Sequence, residues 1–260
     1  MILSFLSGQF RTVRAVALTL GVVAVTGSPA HAIDKLYAPY VEKGEWEAEY
    51  FGTKSFDGND AKDDAQKHQL SIGYGVTDYW KTEVYGSFEK APQDHVTFDS
   101  WEWENIFQFT KPGEYLVDAG GSLAYEWTPS SNIANKVEAR LLLAKDTGKF
   151  SHLLNLIAEK EVGSGPRDQL EGGFIWSSRY NYNASFQPGV EINSDFGEFA
   201  HTGKFNDQSH YVGPVAYGKL PLPFANEDES LKYRVGYLFG ISDAASNGQL
   251  IAQIEYELEF

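Results

Sequence analysis

Apolar and polar side chains alternate along most of this chain, in runs of about ten residues separated by turn residues. Because successive side chains of a strand point to opposite faces, each run predicts a strand with one apolar and one polar face. Counting the runs from residue 44 onward predicts about twelve antiparallel strands. The chain is therefore predicted to be all-β.

The runs differ in how regular their alternation is. The run at about 149–161 is the least regular, because apolar and polar residues share one of its faces. In the run at about 209–219, we assign Tyr211, Val215 and Tyr217 to the apolar face.

The last run has the clearest alternation, and it ends the chain on an aromatic residue. Its apolar side chains occupy every second position: Leu250, Ala252, Ile254, Tyr256, Leu258 and Phe260. Most positions between them are polar, and three of these are glutamates. This ending resembles the C-terminal signature of Gram-negative outer-membrane β-barrel proteins. The resemblance implies that Tyr256, Leu258 and Phe260 form an assembly signal read by the barrel-assembly machinery.

The N-terminus has the features of a secretory signal peptide. Arg11 and Arg14 precede a short apolar run, and Ala30-His31-Ala32 follows it as a small-residue cleavage site. We therefore predict a signal peptide at 1–32. A short periplasmic lead-in at 33–43 and a transmembrane β-barrel at 44–260 would follow it.

Composition and charge restrict the class of protein further. The formal charge is −15, and removal of Arg11 and Arg14 with the signal peptide gives −15 − 2 = −17. Such acidity argues against a nucleic-acid partner. The chain has no cysteine, so neither disulfides nor thiolate metal sites can form. Closing a sheet into a barrel is one way to stabilise a secreted domain without disulfides.

A soluble sandwich or lipocalin-like barrel is the alternative fold, and its apolar faces would point inward. The signal peptide, the terminal Phe260 and the acidic polar face favour a transmembrane up-and-down barrel of about twelve strands. With an even strand count, both termini lie on one side, which we expect to be periplasmic. The turns near 78, 112, 146, 182 and 222 would then be periplasmic, and the intervening loops extracellular.

In a membrane barrel the apolar face meets lipid, with girdles of aromatic residues at its edges. The girdle candidates are Tyr79, Trp80, Tyr115, Trp127 and Tyr180. The polar face then lines the lumen. Its predicted lining and selectivity residues are mostly acidic: Glu47, Glu49, Glu83, Glu102, Glu104, Asp118, Glu126, Glu138, Arg140, Glu171, Arg179, Glu191, Arg234, Glu255 and Glu257. Carboxylate rings favour cations in a pore.

One hairpin, Ile72-Gly73-Tyr74-Gly75-Val76-Thr77-Asp78-Tyr79-Trp80, resembles the small barrels described as transporters of the phenol-degradation meta-pathway type. The resemblance implies passage of small, often hydrophobic molecules, although Tyr85 is the one aromatic residue that we place in the lumen. Small solutes, outer-membrane lipid and lipopolysaccharide are the expected partners, and a periplasmic or lumenal partner protein remains open. We expect no cofactor.

We therefore expect an outer-membrane channel for passive passage of small solutes, biased toward cations. One alternative is a structural or partner-binding barrel with a closed lumen, which would show Arg–carboxylate ladders across its interior. An outer-membrane lipase or protease is the second alternative, but no His-x-Ser motif is present and Ser151 and His152 would face opposite ways. We expect no catalytic residues. The acidic loop at 57–64 lacks calcium-loop spacing, so no metal site is predicted.

Overall fold

The computed structural model describes residues 34–130, 133–163, 170–221 and 230–258. The predicted signal peptide and Phe260 lie outside these residues. Within them, twelve strands form one closed antiparallel barrel, in which each strand pairs with the next and β12 pairs with β1. The prediction of an all-β, twelve-stranded barrel is confirmed.

The strands have the following bounds: β1 Trp46–Phe56, β2 Gln66–Thr77, β3 Trp80–Lys90, β4 Thr97–Gln108, β5 Asp118–Trp127, β6 Asn135–Thr147, β7 Phe150–Val162, β8 Leu170–Tyr180, β9 Gln187–Glu198, β10 Ser209–Pro221, β11 Ser230–Gly240 and β12 Gly248–Leu258. Two short 3₁₀ helices, Phe199–His201 and Phe205–Asp207, lie between β9 and β10. No helix in the described ranges is long and apolar enough to cross a membrane.

The apolar faces of the strands point outward. In β4, Trp101 and Trp103 are 45% and 50% exposed, whereas Ser100 before them and Glu104 after them are fully buried. This orientation excludes the soluble barrel with an apolar interior, because such a barrel would bury its tryptophans and expose its glutamates. An apolar outer surface around a polar lumen is the arrangement of a transmembrane barrel.

The closing pair brings both ends of the barrel wall together. Trp46 at the start of β1 lies opposite Leu258 at the end of β12. The loops between β2 and β3 and between β6 and β7, at the same end, are two residues long. The loop between β4 and β5 is longer than expected, because β5 begins at Asp118 and leaves Tyr115 in the loop, 62% exposed.

One strand, β10, differs from the predicted facing. Tyr211, Val215 and Tyr217 of β10 were assigned to the lipid face, but they point inward and are at most 5% exposed. The hydroxyl groups of the two tyrosines explain this: the Tyr217 hydroxyl donates to Glu191 at 3.0 Å, and the Tyr211 hydroxyl lies 3.1 Å from that of Ser246. In β7, the mixed face points inward, where Asn155 is fully buried.

Candidate solute pathway

The lumen is lined by the polar faces of all twelve strands. Each of the fifteen residues predicted to line it stands at an inward-facing register position. Nine are buried: Glu47, Glu49, Glu83, Glu104, Asp118, Arg140, Glu191, Arg234 and Glu257. Gln253 of β12, which is not among the fifteen, is also buried and accepts a hydrogen bond from Arg234 at 3.1 Å. The other predicted residues are partly exposed: Glu102, Glu126, Glu138, Glu171, Arg179 and Glu255. Their part in selectivity stays a prediction.

The main feature that the sequence pattern did not reveal is a piece of chain inside the barrel. Residues 34–41, called the inserted segment below, precede β1 and lie in the lumen. Lys35, Leu36 and Tyr37 are each at most 8% exposed. The sequence predicted this stretch as a periplasmic lead-in, because eight residues without periodicity gave no sign of a partner surface.

Lys35 is held by the walls of β1 and β3. Its ammonium nitrogen lies 2.9 Å from a carboxylate oxygen of Glu49 and 3.1 Å from one of Glu83. It also donates to the hydroxyl of Tyr85 at 2.9 Å and lies 4.4 Å from the centre of that ring. Two carboxylates and an aromatic face therefore surround one buried ammonium group.

Tyr37 is anchored through its backbone to β7. The side-chain amide of Asn155 accepts from the Tyr37 N–H at 2.8 Å and donates to the Tyr37 carbonyl at 2.9 Å. The Tyr37 ring packs against Ile106 and Leu142, which are also buried inside the barrel. A polar clamp and an apolar contact thus hold the same residue.

The rest of the inserted segment contacts β4 and β5. Gln108 accepts a hydrogen bond from the Val41 N–H at 2.9 Å, and Asp118 accepts one from the Tyr40 hydroxyl at 2.9 Å. A Cβ on Gly120 would lie 2.9 Å from the Cβ of Pro39, so the close approach there requires glycine.

Asp34, the first residue of the inserted segment and called its tip below, contacts two cationic side chains. Asp34 lies 2.9 Å from the Lys67 ammonium and 3.3 Å from the Arg140 guanidinium. Arg140 also donates to the Lys35 carbonyl at 2.9 Å and pairs with Glu138. The contacts of the segment therefore extend over β1 to β7, on one side of the barrel.

Ion pairs also form elsewhere in the lumen. Arg234 of β11 donates to Glu191 of β9 at 2.9 Å, and Lys136 of β6 lies 3.0 Å from Glu159 of the neighbouring β7. The closed-lumen alternative predicted ladders of Arg–carboxylate pairs, and Arg234–Glu191 is one such pair. In contrast, no Lys or Arg among the described residues forms a salt bridge with Glu102 or Glu104, and one carboxylate oxygen of Glu104 is buried without a hydrogen-bond partner.

Two cavities touch the inserted segment. The larger, of about 850 Å³, lies toward the end that carries the chain termini and includes Lys35, Glu257 and Arg179 in its lining. The smaller, of about 90 Å³, is lined by Asp34 and by inward residues of β7 to β10 such as Asp195. Open volume is thus present on both sides of the segment's tip.

The carboxylates of Glu45, Glu47 and Glu257 lie within 4.8 Å of one another in the larger cavity and could hold a cation. Lys81 pairs with Glu47, however, and Lys232 pairs with Glu257. The lysines already supply the positive charge that such a group of carboxylates requires. The absence of a metal site stays a prediction.

The loops at the other end of the barrel contact one another. In the acidic loop, Asp57 accepts from the Asn247 N–H at 2.9 Å, and Lys62 donates to the Ala245 carbonyl at 3.1 Å. The pKa of Asp64 is held below its usual range by hydrogen bonds from Lys54 and Lys90. The carboxylates of Asp57 and Asp64 in this loop are therefore engaged within the protein.

Ser151 and His152, the two neighbours considered for catalysis, have separate partners. The His152 ring stacks on Trp176 with centroids 6.3 Å apart, while the Ser151 hydroxyl accepts from Asn181 at 2.9 Å. The expectation that the chain is not an enzyme stays a prediction.

Two solved structures that share this fold are an outer-membrane channel and a porin. The COG4313 outer membrane channel from Pseudomonas putida F1 has a TM-score of 0.59 and 14% identity, over 88% of this chain and 100% of that one. The NanC porin has a TM-score of 0.53 and 10% identity, over 82% of this chain and 100% of that one. No protein-family model and no curated protein matches the chain. The chain has the fold of the outer-membrane β-barrel channels.

Proposed function

We propose that the protein is an outer-membrane channel for the passive passage of small solutes, with a bias toward cations. The observation that carries this proposal is the 850 Å³ cavity inside a polar lumen. Side chains fill the interior of an eight-stranded barrel, whereas twelve strands enclose a wider lumen. The two similar structures described above are a channel and a porin, which supports the same function.

The cation bias follows from carboxylates that lack a basic partner. Glu102 and Glu104 of β4 are such residues within the described part of the chain, and Glu126 of β5 lies directly across from Glu102. Negative charge that is not neutralised by the protein attracts mobile cations from the solution. Arg179 opposes the bias, because it stacks on Tyr217 at 5.7 Å and forms no salt bridge with another described residue.

Single-channel conductance under a salt gradient tests this function. The protein would be expressed as the full chain, purified from outer membranes and inserted into a planar bilayer. We expect stable current steps and a reversal potential that favours cations. Glu102→Gln should weaken that preference, and Arg179→Gln should strengthen it. An anion-favouring reversal potential would refute the bias, and folded protein without current steps would refute the channel.

The inserted segment supports a second candidate, a barrel with a closed lumen. The segment is fixed by contacts with seven strands, and ion pairs such as Arg234–Glu191 add to the filling of the interior. A variant that lacks residues 34–41 distinguishes the two candidates. If the deletion converts a silent barrel into a conducting one, the segment closes the lumen; equal conductance in both proteins shows that solutes pass beside it.

Export and assembly are proposed from the termini. Cleavage after Ala32 would leave Ile33 as the first residue, immediately before the lumenal Asp34. The intact mass of the purified protein tests this cleavage site. Deletion of Phe260 should reduce insertion by the barrel-assembly machinery, with deletion of a residue in the 222–229 stretch as the length-matched control.

A further inference from the structure

The surroundings of Lys35 have the composition of an ammonium-binding site. Three oxygen acceptors, from Glu49, Glu83 and Tyr85, lie 2.9 to 3.1 Å from its nitrogen. A primary ammonium has three N–H donors, so the acceptors match its valence. The ring of Tyr85 lies 4.4 Å away, within the range of a cation–π interaction. All three side chains are at most 7% exposed.

Residues of the barrel wall hold each of these acceptors, and Tyr85 has one further contact, with the Tyr37 hydroxyl of the inserted segment at 2.9 Å. Ser71 of β2 donates to Glu83 at 2.6 Å, and Gln253 of β12 donates to Glu49 at 3.1 Å. The Tyr85 hydroxyl donates to Glu104 at 3.0 Å, so its oxygen can accept from Lys35 and from the Tyr37 hydroxyl. The acceptors are thus held by hydrogen bonds to other strand residues. Such a site is preorganised, because the strands of a closed barrel move little when a ligand leaves.

Lys35, whose ammonium group occupies the site in this structure, is held less rigidly than the acceptors on the strands. Lys35 belongs to eight residues that have no regular secondary structure and that are tied to the wall by side-chain contacts. Charge favours a cation at this position, because Glu49 and Glu83 together carry two negative charges. Of these two carboxylates, only Glu83 lies near Lys81, at 3.6 Å, and Lys81 pairs more closely with Glu47.

We propose that Glu49, Glu83 and Tyr85 form a binding site for the primary ammonium group of a solute, and that Lys35 occupies this site when no solute is bound. The inference rests on the proposed channel function and specifies its solutes as organic ammonium ions. A solute that binds there displaces Lys35 and frees the tip of the inserted segment. Because the segment competes, the wild-type protein binds such solutes more weakly than a protein that lacks the lysine side chain.

Lys35→Met tests the site, because methionine keeps an unbranched side chain but removes the ammonium. The purified full-length protein in micelles would be heated with increasing n-butylammonium, and the midpoint of unfolding recorded. We expect a saturable rise for Lys35→Met, with an apparent Kd at least tenfold lower than for the wild type. Tetramethylammonium, which has no N–H donor, and n-butanol, which has no charge, should give no comparable rise.

Two further variants test whether the gain in n-butylammonium affinity arises at this site or from any loss of positive charge in the lumen. Lys35→Met combined with Glu49→Gln should weaken n-butylammonium binding at least tenfold, because one acceptor charge is lost while Glu83 keeps Lys81. Lys232→Met removes a different lumenal lysine, which pairs with Glu255 at 3.2 Å. If Lys232→Met gains as much affinity as Lys35→Met, the gain is unspecific and the proposal is overturned.

A second measurement applies if Lys35→Met does not fold. The variant Leu36→Cys, otherwise wild type, should react faster with a thiol reagent when n-butylammonium is present, because displacement of Lys35 frees this part of the inserted segment. Tetramethylammonium should have no such effect. An unchanged rate at saturating concentrations would overturn the proposal. Neither measurement depends on conductance, so a barrel without current steps could still bind the probe, and a conducting barrel could fail to bind it.

Discussion

The contact between Asn155 and Tyr37 provides the sharpest test of how the inserted segment is held. Asn155→Leu removes two hydrogen bonds of 2.8 and 2.9 Å to the Tyr37 backbone, at a fully buried position. A buried polar group left without a partner costs about 1–3 kcal/mol. The variant leaves two such groups on Tyr37, so the lower end of that range predicts a loss of about 2 kcal/mol.

This loss applies to the bound state of the segment, because the freed Tyr37 backbone can bond to water once it leaves the wall. About 2 kcal/mol corresponds to an increase of roughly 30-fold in the population with the segment released. The wild-type chain has no cysteine, so Leu36→Cys introduces a single thiol, at a position only 8% exposed. Its reaction rate with a water-soluble thiol reagent reports the released population.

The control is Asn105→Leu, the same change of residue on the outward face of the barrel wall. Asn105 of β4 points outward and accepts a hydrogen bond from the Trp80 indole at 3.0 Å, away from the segment. We expect Asn155→Leu to raise the labelling rate about 30-fold and Asn105→Leu to leave it unchanged. A folded Asn155→Leu protein that labels within twofold of its parent would refute the argument that this clamp holds the segment.

Three further predictions concern the wall, the segment and the loops. Trp103→Lys places a charge on the lipid face and should reduce the free energy of unfolding in vesicles by about 2–4 kcal/mol if the position is near the bilayer centre, whereas Trp103→Phe should cost less; equal losses would contradict a lipid-facing position. Gly120→Val should speed labelling of the cysteine variant, because the added side chain occupies the space of the inserted segment; an unchanged rate would show that the segment adjusts. Asp64, whose pKa is lowered by Lys54 and Lys90, contributes stability above its ordinary pKa of about 4 that is lost as the pH falls. The unfolding midpoint of Asp64→Asn should therefore change less between pH 5 and pH 3 (about one unit either side of that value) than that of the wild type, and parallel curves would contradict this.

The proposed solute pathway depends on the space that the inserted segment leaves in the lumen and on the position of Glu102 and Glu104 there. The segment contacts β1 to β7, whereas Arg179 and Tyr217 stand on β8 and β10 beside the larger cavity. A solute that enters from the end with the chain termini would meet that cavity first and Lys35 next. The closed-lumen candidate and the channel therefore differ in whether the segment yields, and the deletion of residues 34–41 measures that difference directly.

The alternation of side chains was sufficient to predict the barrel and most of its wall. A strand has a period of two, so a sequence such as that of β4 determines which residues share a face without any knowledge of the partners. The predicted lumen residues all occupy inward positions for that reason. The same reasoning gave the wrong side for Tyr211 and Tyr217, because a tyrosine can stand on either face and its hydroxyl partners lie on other strands.

Strand period, strand count and the composition of the two faces were thus determined by the sequence alone. Only the tertiary structure decided which face encloses the lumen and what fills it, since the partners of the inserted segment are far away in the chain. Asn155 is 118 residues from Tyr37, and Glu83 is 48 residues from Lys35. No local pattern encodes such contacts; they exist because closure of the barrel brings separate strands around one short stretch of chain.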